Sequence, residues 1–149
     1  MTNEPVSAIV PQRVLFLCTH NSSRSQMAEG LLNARADGRY AASSAGTHPR
    51  AIHPLAIQAM AELGIDISEA AGHRAKSLTE FSGQPFDLVV TVCDDAAEEC
   101  PFFPGARRQV HWGFPDPSAA IGSEEERLAV FCQVRDAIAA RIARFLAEG

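Results

Sequence analysis

The chain has 149 residues, the length of one domain, and its 46% hydrophobic and 21% charged residues are typical of a soluble globular protein. Its formal net charge of -5 argues against a nucleic-acid partner, which usually requires a basic face. The same charge repels anions at long range, so any attraction for an oxyanion must be local.

The beginning of the chain predicts a short extension rather than a targeting signal. Residues 1–12 contain Glu4, two prolines and no sustained apolar run, so we expect a poorly ordered extension before one domain at 13–149. No stretch reaches the roughly 18 apolar residues of a membrane span, so we expect a cytoplasmic protein without membrane contacts. Because cytoplasmic thiols are kept reduced, the four cysteines favour catalytic, redox or metal roles over a disulfide framework.

The stretch from Val14 to Leu32 predicts a strand, a tight loop and a helix. Val14–Leu17 is a short apolar run typical of a buried strand, and helical spacing of apolar residues follows Ser25. In such an arrangement the loop amides point inward and the helix N-terminus adds partial positive charge. The loop is therefore predicted to bind a tetrahedral oxyanion, through Thr19, His20, Asn21, Ser22, Ser23 and Arg24.

Cys18 and Arg24 stand at the first and seventh positions of this segment. The thiol can attack as a thiolate, which amide dipoles and a nearby cation stabilise. The guanidinium offers a planar fork of donors that matches two oxygens of a phosphate-like ion. Ser25 can donate its hydroxyl proton to the Cys18 sulfur. The spacing alone is weak evidence against a core cysteine with a surface arginine nearby, but the flanking strand and helix are the context that this chemistry requires.

Three more strands are predicted downstream. Arg39–Gly46 ends in a glycine turn, Phe86–Val92 is typical of a strand buried on both faces, and Gln109–Trp112 is shorter. Strands that alternate with helices imply an α/β fold, with a four-stranded parallel sheet and helices on both faces. Ligands of such sheets bind at the carboxyl ends of the strands, where Cys18 and Cys93 are expected to lie.

The helices after the first are predicted from their start signals. Pro54 suits the first turn of a helix that ends at Gly64 and carries Leu55, Ala59 and Leu63 on one face. Capping-box spacing at Ser77–Glu80 and Ser123–Glu126 predicts two more helix starts. The last helix has apolar residues along one side, namely Leu128, Phe131, Ile138, Ile142 and Phe145.

Cys93 and Cys100 distinguish between candidate functions. Their spacing is too wide for a zinc site, whose cysteines are usually two to four residues apart. The residues between them favour a helix, in which positions seven apart lie about 10.5 Å from each other, beyond the roughly 7 Å limit for a disulfide. A bond between them therefore requires the segment to unwind, which Pro101 favours. The alternative is two unrelated buried cysteines.

A carboxylic acid follows the fourth strand at Asp116-Pro117. Beside the oxyanion loop, Asp116 could protonate a departing oxygen as a general acid, although Asp-Pro is also a common turn.

Cys132 is predicted to be a small core residue. The remaining histidines show no metal-ligand spacing and are assigned no role; they are His48, His53, His73 and His111.

The block from Cys18 to Gly30 resembles the loop of the arsenate reductases that have the low-molecular-weight tyrosine phosphatase fold. The resemblance extends from Arg13 to the last helix. Thioredoxin-coupled members carry two redox cysteines with the separation of Cys93 and Cys100 after the same strand. They also place their acid in an Asp-Pro pair after Trp-Gly-Phe, which is the setting of Asp116 here.

The resemblance implies reduction of arsenate to arsenite, serving arsenic detoxification. In the implied relay Cys18 attacks first, Cys93 then forms a disulfide with it, and Cys100 moves the disulfide outward for reduction by thioredoxin. Phosphate or sulfate would act as arsenate analogues, no tightly bound cofactor or metal is expected, and we expect a monomer. Residues 68–76 do not match the family pattern residue by residue, so a bound monovalent cation is left undecided.

Two other functions are compatible with the same loop. A low-molecular-weight tyrosine phosphatase would use Cys18, Arg24 and Asp116 to hydrolyse phosphomonoesters, and weak activity of this kind is expected as a side reaction. That function gives no use to Cys93 and Cys100, and the aromatic residues that follow Asp-Pro in those phosphatases are replaced here by Ser118-Ala119-Ala120. An oxyanion-binding or redox-sensing module would bind phosphate or arsenate without turnover.

Overall fold

Four parallel strands form one sheet in a computed structural model that describes residues 10–94 and 101–148. The spatial order is β2-β1-β3-β4, with bounds Gln12–Cys18 for β1, Tyr40–Gly46 for β2, Leu88–Thr91 for β3 and Gln109–His111 for β4. Because β1 is central in the sheet and a core covers each of its faces, its residues from Val14 to Cys18 are all buried. The predicted four-stranded parallel sheet is confirmed, although β3 is shorter than the predicted 86–92.

The alternation of side chains along β1 divides the core between the two faces of the sheet. Val14 and Phe16 belong to a core that includes residues of the three α-helices within the described ranges, which are α1 (Arg24–Arg35), α2 (Pro54–Ala61) and α3 (Glu124–Glu148). Leu15 and Leu17 belong to a smaller core on the opposite face, which the 3-10 helix Leu78–Phe81 covers. Helical segments therefore lie on both faces, with the α-helices that the structure describes gathered on one.

The end of α2 is determined by a glycine that follows the helix. A left-handed residue, Gly64 with φ 75°, turns the chain after α2 so that the Ile65 N–H donates to Met60 O at 3.1 Å. The helix thus ends at Ala61, and Leu63, predicted on its buried face, is 37% exposed in this turn.

The two predicted capping boxes differ. Ser123 and Glu126 bond reciprocally to each other's backbone N–H, at 3.1 and 2.8 Å, and begin α3. Ser77 instead begins the 3-10 helix by accepting from Thr79 N, while the carboxylate of Glu80 pairs with Arg74.

Part of the predicted organisation lies outside the described residues. Most of the N-terminal extension, the predicted helix between Cys93 and Cys100, and Cys100 itself fall there. Within 10–94 and 101–148, no helix combines the length and hydrophobicity needed to cross a bilayer.

Candidate active site

A cavity of about 380 Å³ lies at the carboxyl end of β1, over the loop that joins this strand to α1. The predicted residues Cys18, Arg24 and Asp116 all line it, and so do His20, Arg50 and His53. This position follows from the topology, because the carboxyl ends of parallel strands open into the loops that precede the helices.

Donors surround the Cys18 sulfur. The N–H of Asn21 donates to Sγ at 3.3 Å, and Ser25 Oγ lies 2.8 Å from Sγ. Ser25 Oγ also accepts a hydrogen bond from Asn21 Nδ2 at 2.8 Å, which leaves its own proton directed at the sulfur. Two donors therefore point at the Cys18 sulfur, an arrangement suited to a nucleophilic cysteine.

Asn21 is the residue that connects the loop to the rest of the domain. It is fully buried and has φ 49°, a left-handed conformation that asparagine tolerates better than most residues. Its Nδ2 also donates to Ser44 Oγ at 2.9 Å, and its Oδ1 accepts from Gln26 Nε2 and from the N–H of Lys76, both at 2.9 Å. These bonds fix the loop against β2, α1 and the segment before the 3-10 helix.

Close contact with Gly46, the last residue of β2, also constrains the loop. A Cβ added at Gly46 would lie 2.6 Å from Thr19 O and 2.9 Å from Asn21 N, and both of these are backbone atoms. No side chain can therefore occupy this position without displacement of the loop. The predicted glycine at the end of the second strand thus has a packing role beside the loop.

Arg24 and Asp116 approach each other across the cavity. The Arg24 side chain is 3% exposed, and its Nη1 donates to the backbone oxygen of Phe114 at 3.2 Å. Its Nη2 lies 3.8 Å from Asp116 Oδ2. Asp116 Oδ1 accepts hydrogen bonds from the N–H and the hydroxyl of Ser118, at 3.0 and 2.7 Å. These contacts hold the Asp116 carboxylate over the cavity, next to the Arg24 guanidinium.

The opposite wall of the cavity comes from residues 50–54, which sequence reasoning did not connect with the site. Backbone bonds join this wall and the residues just before it to the loop, from His48 N to Thr19 O at 2.8 Å, from Arg50 N to His20 O at 2.9 Å, and from His53 N to Ser22 O at 3.0 Å. His20 Nδ1 additionally bonds to His48 O at 2.9 Å. Arg50 and His53 are therefore site residues that the prediction missed.

Burial lowers the pKa of His53, the nearby Arg127 lowers it further, and Asp116 acts in the opposite direction. The only sequence signal for this residue was its position before Pro54. His53 is the N-cap of α2, where its Nδ1 accepts the N–H of Leu55 at 3.1 Å.

Cys93 lies two residues past the end of β3, the strand that pairs with β1. It is fully buried, and its sulfur makes a long hydrogen bond of 3.9 Å to Leu17 O. Cys18, Cys93 and Cys132 are all thiols in this structure. Cys132 is half-buried at the edge of the core, where its Sγ lies 3.5 Å from Glu62 Oε1 and burial raises its pKa.

Residues 68–76, which do not match the family pattern residue by residue, contact the oxyanion loop and the start of α1. His73 Nδ1 bonds to Gln26 Oε1 at 3.1 Å, and Gln26 Nε2 donates to Arg74 O at 2.9 Å. Lys76 is half-buried, and burial lowers its pKa while Glu29 acts in the opposite direction. Across the described ranges, no group of three His, Cys, Asp or Glu side chains is placed to hold a metal ion.

The family of low molecular weight phosphotyrosine protein phosphatases has a model that matches residues 13–148. Among the relatives of the chain, a protein of Halalkalibacterium halodurans named arsenate reductase is 45% identical over 136 residues, which are 91% of this chain and 96% of that protein.

Solved structures give the same result for the fold. An arsenate reductase in its reduced state superposes with a TM-score of 0.74 at 31% identity, covering 92% of this chain and 98% of the other. A thioredoxin-dependent arsenate reductase of Corynebacterium glutamicum superposes with a TM-score of 0.66 at 29% identity, covering 97% of this chain and 65% of the other.

Proposed function

The chain belongs to the low molecular weight phosphotyrosine protein phosphatase family, and from that premise we propose that it is an arsenate reductase that uses thioredoxin as its reductant. The observation that carries the proposal is the placement of Cys18 at the end of β1 and of Cys93 just past the end of the neighbouring β3, with two donors to the first sulfur. The relatives that bear the name arsenate reductase support the choice of substrate.

In the first step the Cys18 thiolate attacks the arsenic atom of arsenate. The loop amides and the Arg24 guanidinium bind the oxyanion, because both present N–H donors to its oxygens. One As–O bond breaks as the S–As bond forms, and Asp116 supplies the proton with which the oxygen leaves as water. The 3.8 Å approach of Asp116 to Arg24 supports this role, since it places the acid beside the group that binds the substrate.

In the second step Cys93 attacks the Cys18 sulfur. The S–S bond forms, the S–As bond breaks, and its electron pair remains on arsenic, which leaves as arsenite. The oxidation of two thiols to one disulfide balances the two-electron reduction of arsenic. The fully buried position of Cys93 next to the end of β1 supports its assignment as the second cysteine.

In the third step Cys100 attacks Cys93 and restores the Cys18 thiolate. Thioredoxin then reduces the Cys93–Cys100 disulfide by thiol-disulfide exchange and becomes oxidised itself. Cys100 lies outside the described residues, so its role is carried by the sequence and by the thioredoxin-dependent relative. The proposed biological role is detoxification of arsenic, in the cytoplasm.

Phosphomonoester hydrolysis is the second candidate, because the family includes phosphotyrosine phosphatases and Cys18, Arg24 and Asp116 would serve it as well. The cavity wall after Asp116 argues against an aryl substrate. Pro117–Ala119 form a 3-10 turn of small residues there, which offers no aromatic ring to stack on a tyrosine. We therefore expect phosphatase activity only as a weak side reaction.

The deciding experiment measures arsenite production with thioredoxin, thioredoxin reductase and NADPH. Cys18→Ser, Cys93→Ser and Cys100→Ser are each expected to abolish multiple turnover, and Cys132→Ser is the matched control that keeps it. Full turnover in Cys93→Ser or Cys100→Ser would contradict the relay. If only Cys18 were required and phosphate esters turned over well, the phosphatase function would replace it.

A further inference from the structure

His53 is held in place by three separate contacts at the wall of the cavity. Its backbone N–H donates to Ser22 O of the oxyanion loop at 3.0 Å. Its Nδ1 accepts the N–H of Leu55 at 3.1 Å, and its ring packs on Phe131 of α3 with the ring centroids 4.6 Å apart. The imidazole is therefore oriented before any ligand enters.

These contacts also determine the tautomer of the ring. Because Nδ1 accepts a hydrogen bond, it carries no proton, and the neutral imidazole must carry its proton on Nε2. Nε2 makes no hydrogen bond to any described residue, although His53 lines the same cavity as Cys18, Arg24 and Asp116. The ring of this cavity-lining residue therefore carries one N–H donor, on Nε2, that no described residue engages.

Burial and the nearby charges together keep this donor uncharged near neutral pH. Burial and Arg127 of α3 both lower the pKa of the imidazole, and they outweigh the opposite effect of Asp116. Arg24 and Arg50, which line the same cavity, are also cations. A neutral donor can stabilise an oxyanion there without adding a charge that would compete with Arg24 for Asp116.

We propose that His53 is a substrate-binding residue whose Nε2–H donates a hydrogen bond to an oxygen of the oxyanion held at Cys18. The inference rests on the proposed function, since it assigns an additional ligand to the same oxyanion. It assigns a role to a histidine whose sequence context gave none. A hydrogen bond to a charged group in a water-poor site contributes about 10-fold or more to affinity.

Two substitutions separate this role from helix capping. His53→Asn keeps a good N-cap acceptor for the Leu55 N–H but is too short to place a donor where Nε2 lies. His53→Gln places an amide N–H near the Nε2 position. His48→Asn is the control, because the His48 ring bonds to Thr47 and does not line the cavity.

The test measures the Kd of inorganic phosphate for the reduced protein and the KM and kcat for arsenate. His53→Asn is expected to raise the phosphate Kd and the arsenate KM about 10-fold, with kcat within about threefold and the melting temperature unchanged. His53→Gln is expected to restore part of the loss, and His48→Asn to match the wild type. Unchanged Kd and KM in His53→Asn would overturn the proposal.

A spectroscopic measurement tests the tautomer directly. In protein labelled with ¹⁵N-histidine, the wild type is expected to show the proton of His53 on Nε2, and this nitrogen to shift when phosphate binds. A proton on Nδ1, or no shift with phosphate, would overturn the proposal. Because phosphate binding needs no turnover, a wild type that binds phosphate but does not reduce arsenate would contradict the proposed function alone.

Discussion

The sulfur of Cys93 lies 3.9 Å from the carbonyl oxygen of Leu17, the residue immediately before Cys18 in the chain. Leu17 belongs to β1 and pairs with Thr91 of β3, so Cys18 ends one strand and Cys93 follows the end of the neighbouring parallel strand by two residues. Adjacent strands are only about 4.8 Å apart, so the disulfide proposed between Cys18 and Cys93 joins neighbouring parts of the sheet. The proposed relay therefore begins inside the core, beside the oxyanion cavity.

The hydroxyl of Ser25 is expected to matter for attack by Cys18. Ser25→Ala removes the donor at 2.8 Å from Sγ and leaves Asn21 Nδ2 with one fewer partner. Because hydrogen bonds to charged groups contribute about 1.5–3 kcal/mol, kcat/KM for arsenate should fall about 10- to 100-fold. The rate of Cys18 alkylation by iodoacetamide at pH 7 should fall as well.

The control for this variant is Ser82→Ala, an exposed serine far along the chain from the loop. It should retain the wild-type rates of arsenate reduction and alkylation. Equal alkylation rates in Ser25→Ala and the wild type would show that the hydroxyl does not stabilise the thiolate.

Asp116 is expected to act in the chemical step and not in binding. Asp116→Asn keeps an oxygen that can accept from Ser118 but has no proton to transfer to a leaving oxygen. Single-turnover arsenite formation should slow by about 10²- to 10⁴-fold, while the phosphate Kd stays the same or decreases. Asp37→Asn, at an exposed left-handed position that asparagine tolerates, is the matched control. An unchanged single-turnover rate in Asp116→Asn would remove the general acid from the mechanism.

Gly46 is expected to be required for the shape of the oxyanion loop. In Gly46→Ala the new methyl group meets two backbone atoms, Thr19 O and Asn21 N, which cannot rotate away. The substitution should lower the free energy of unfolding by about 1–3 kcal/mol and weaken phosphate binding. Denaturant unfolding and phosphate titration measure the two effects.

Gly64→Asn provides the comparison for that experiment. Gly64 has φ 75° with nothing within 4 Å of an added Cβ, and asparagine accepts this conformation. It should therefore change stability little and leave phosphate binding intact. If Gly46→Ala bound phosphate as tightly as Gly64→Asn, the loop would not depend on close contact with β2.

His53 is expected to make stability depend on pH below neutrality. Its folded-state pKa is lowered from 6.5, so above that pH the ring is neutral in both states and contributes nothing. As the pH falls below 6.5, the unfolded chain binds the proton first, and the free energy of unfolding decreases. His53→Asn should show a smaller loss of unfolding free energy between pH 7.5 and 5.5 than the wild type or His48→Asn. Identical losses in all three proteins would contradict the effect of burial.

Local patterns were sufficient to predict the sheet and the position of the loop between β1 and α1. The apolar run before Cys18 and the helical spacing after Ser25 place the loop between a strand and a helix, as the structure has it. The contacts of Asn21 could not be predicted in the same way, because its partners Ser44 and Lys76 are distant in the chain. The contacts by which Asn21 holds the loop exist only once the domain has folded.

His53 and the two capping boxes show the same limit. His53 packs on Phe131, a residue of the last helix, and no local pattern joins them. Ser77–Glu80 and Ser123–Glu126 have the same spacing, but only the second forms the reciprocal box, since Arg74 binds the carboxylate of Glu80. Whether the capping box forms therefore depends on a competing side chain, and the spacing of serine and glutamate alone does not predict it.

The central claim is tested most directly by locating the disulfide left after one turnover. Cys100→Ser protein, fully reduced and mixed with one equivalent of arsenate, should release arsenite and retain a bond between Cys18 and Cys93, which peptide mass spectrometry detects after alkylation of the remaining thiols. Arsenite release with Cys93 recovered as an alkylated thiol would contradict the relay.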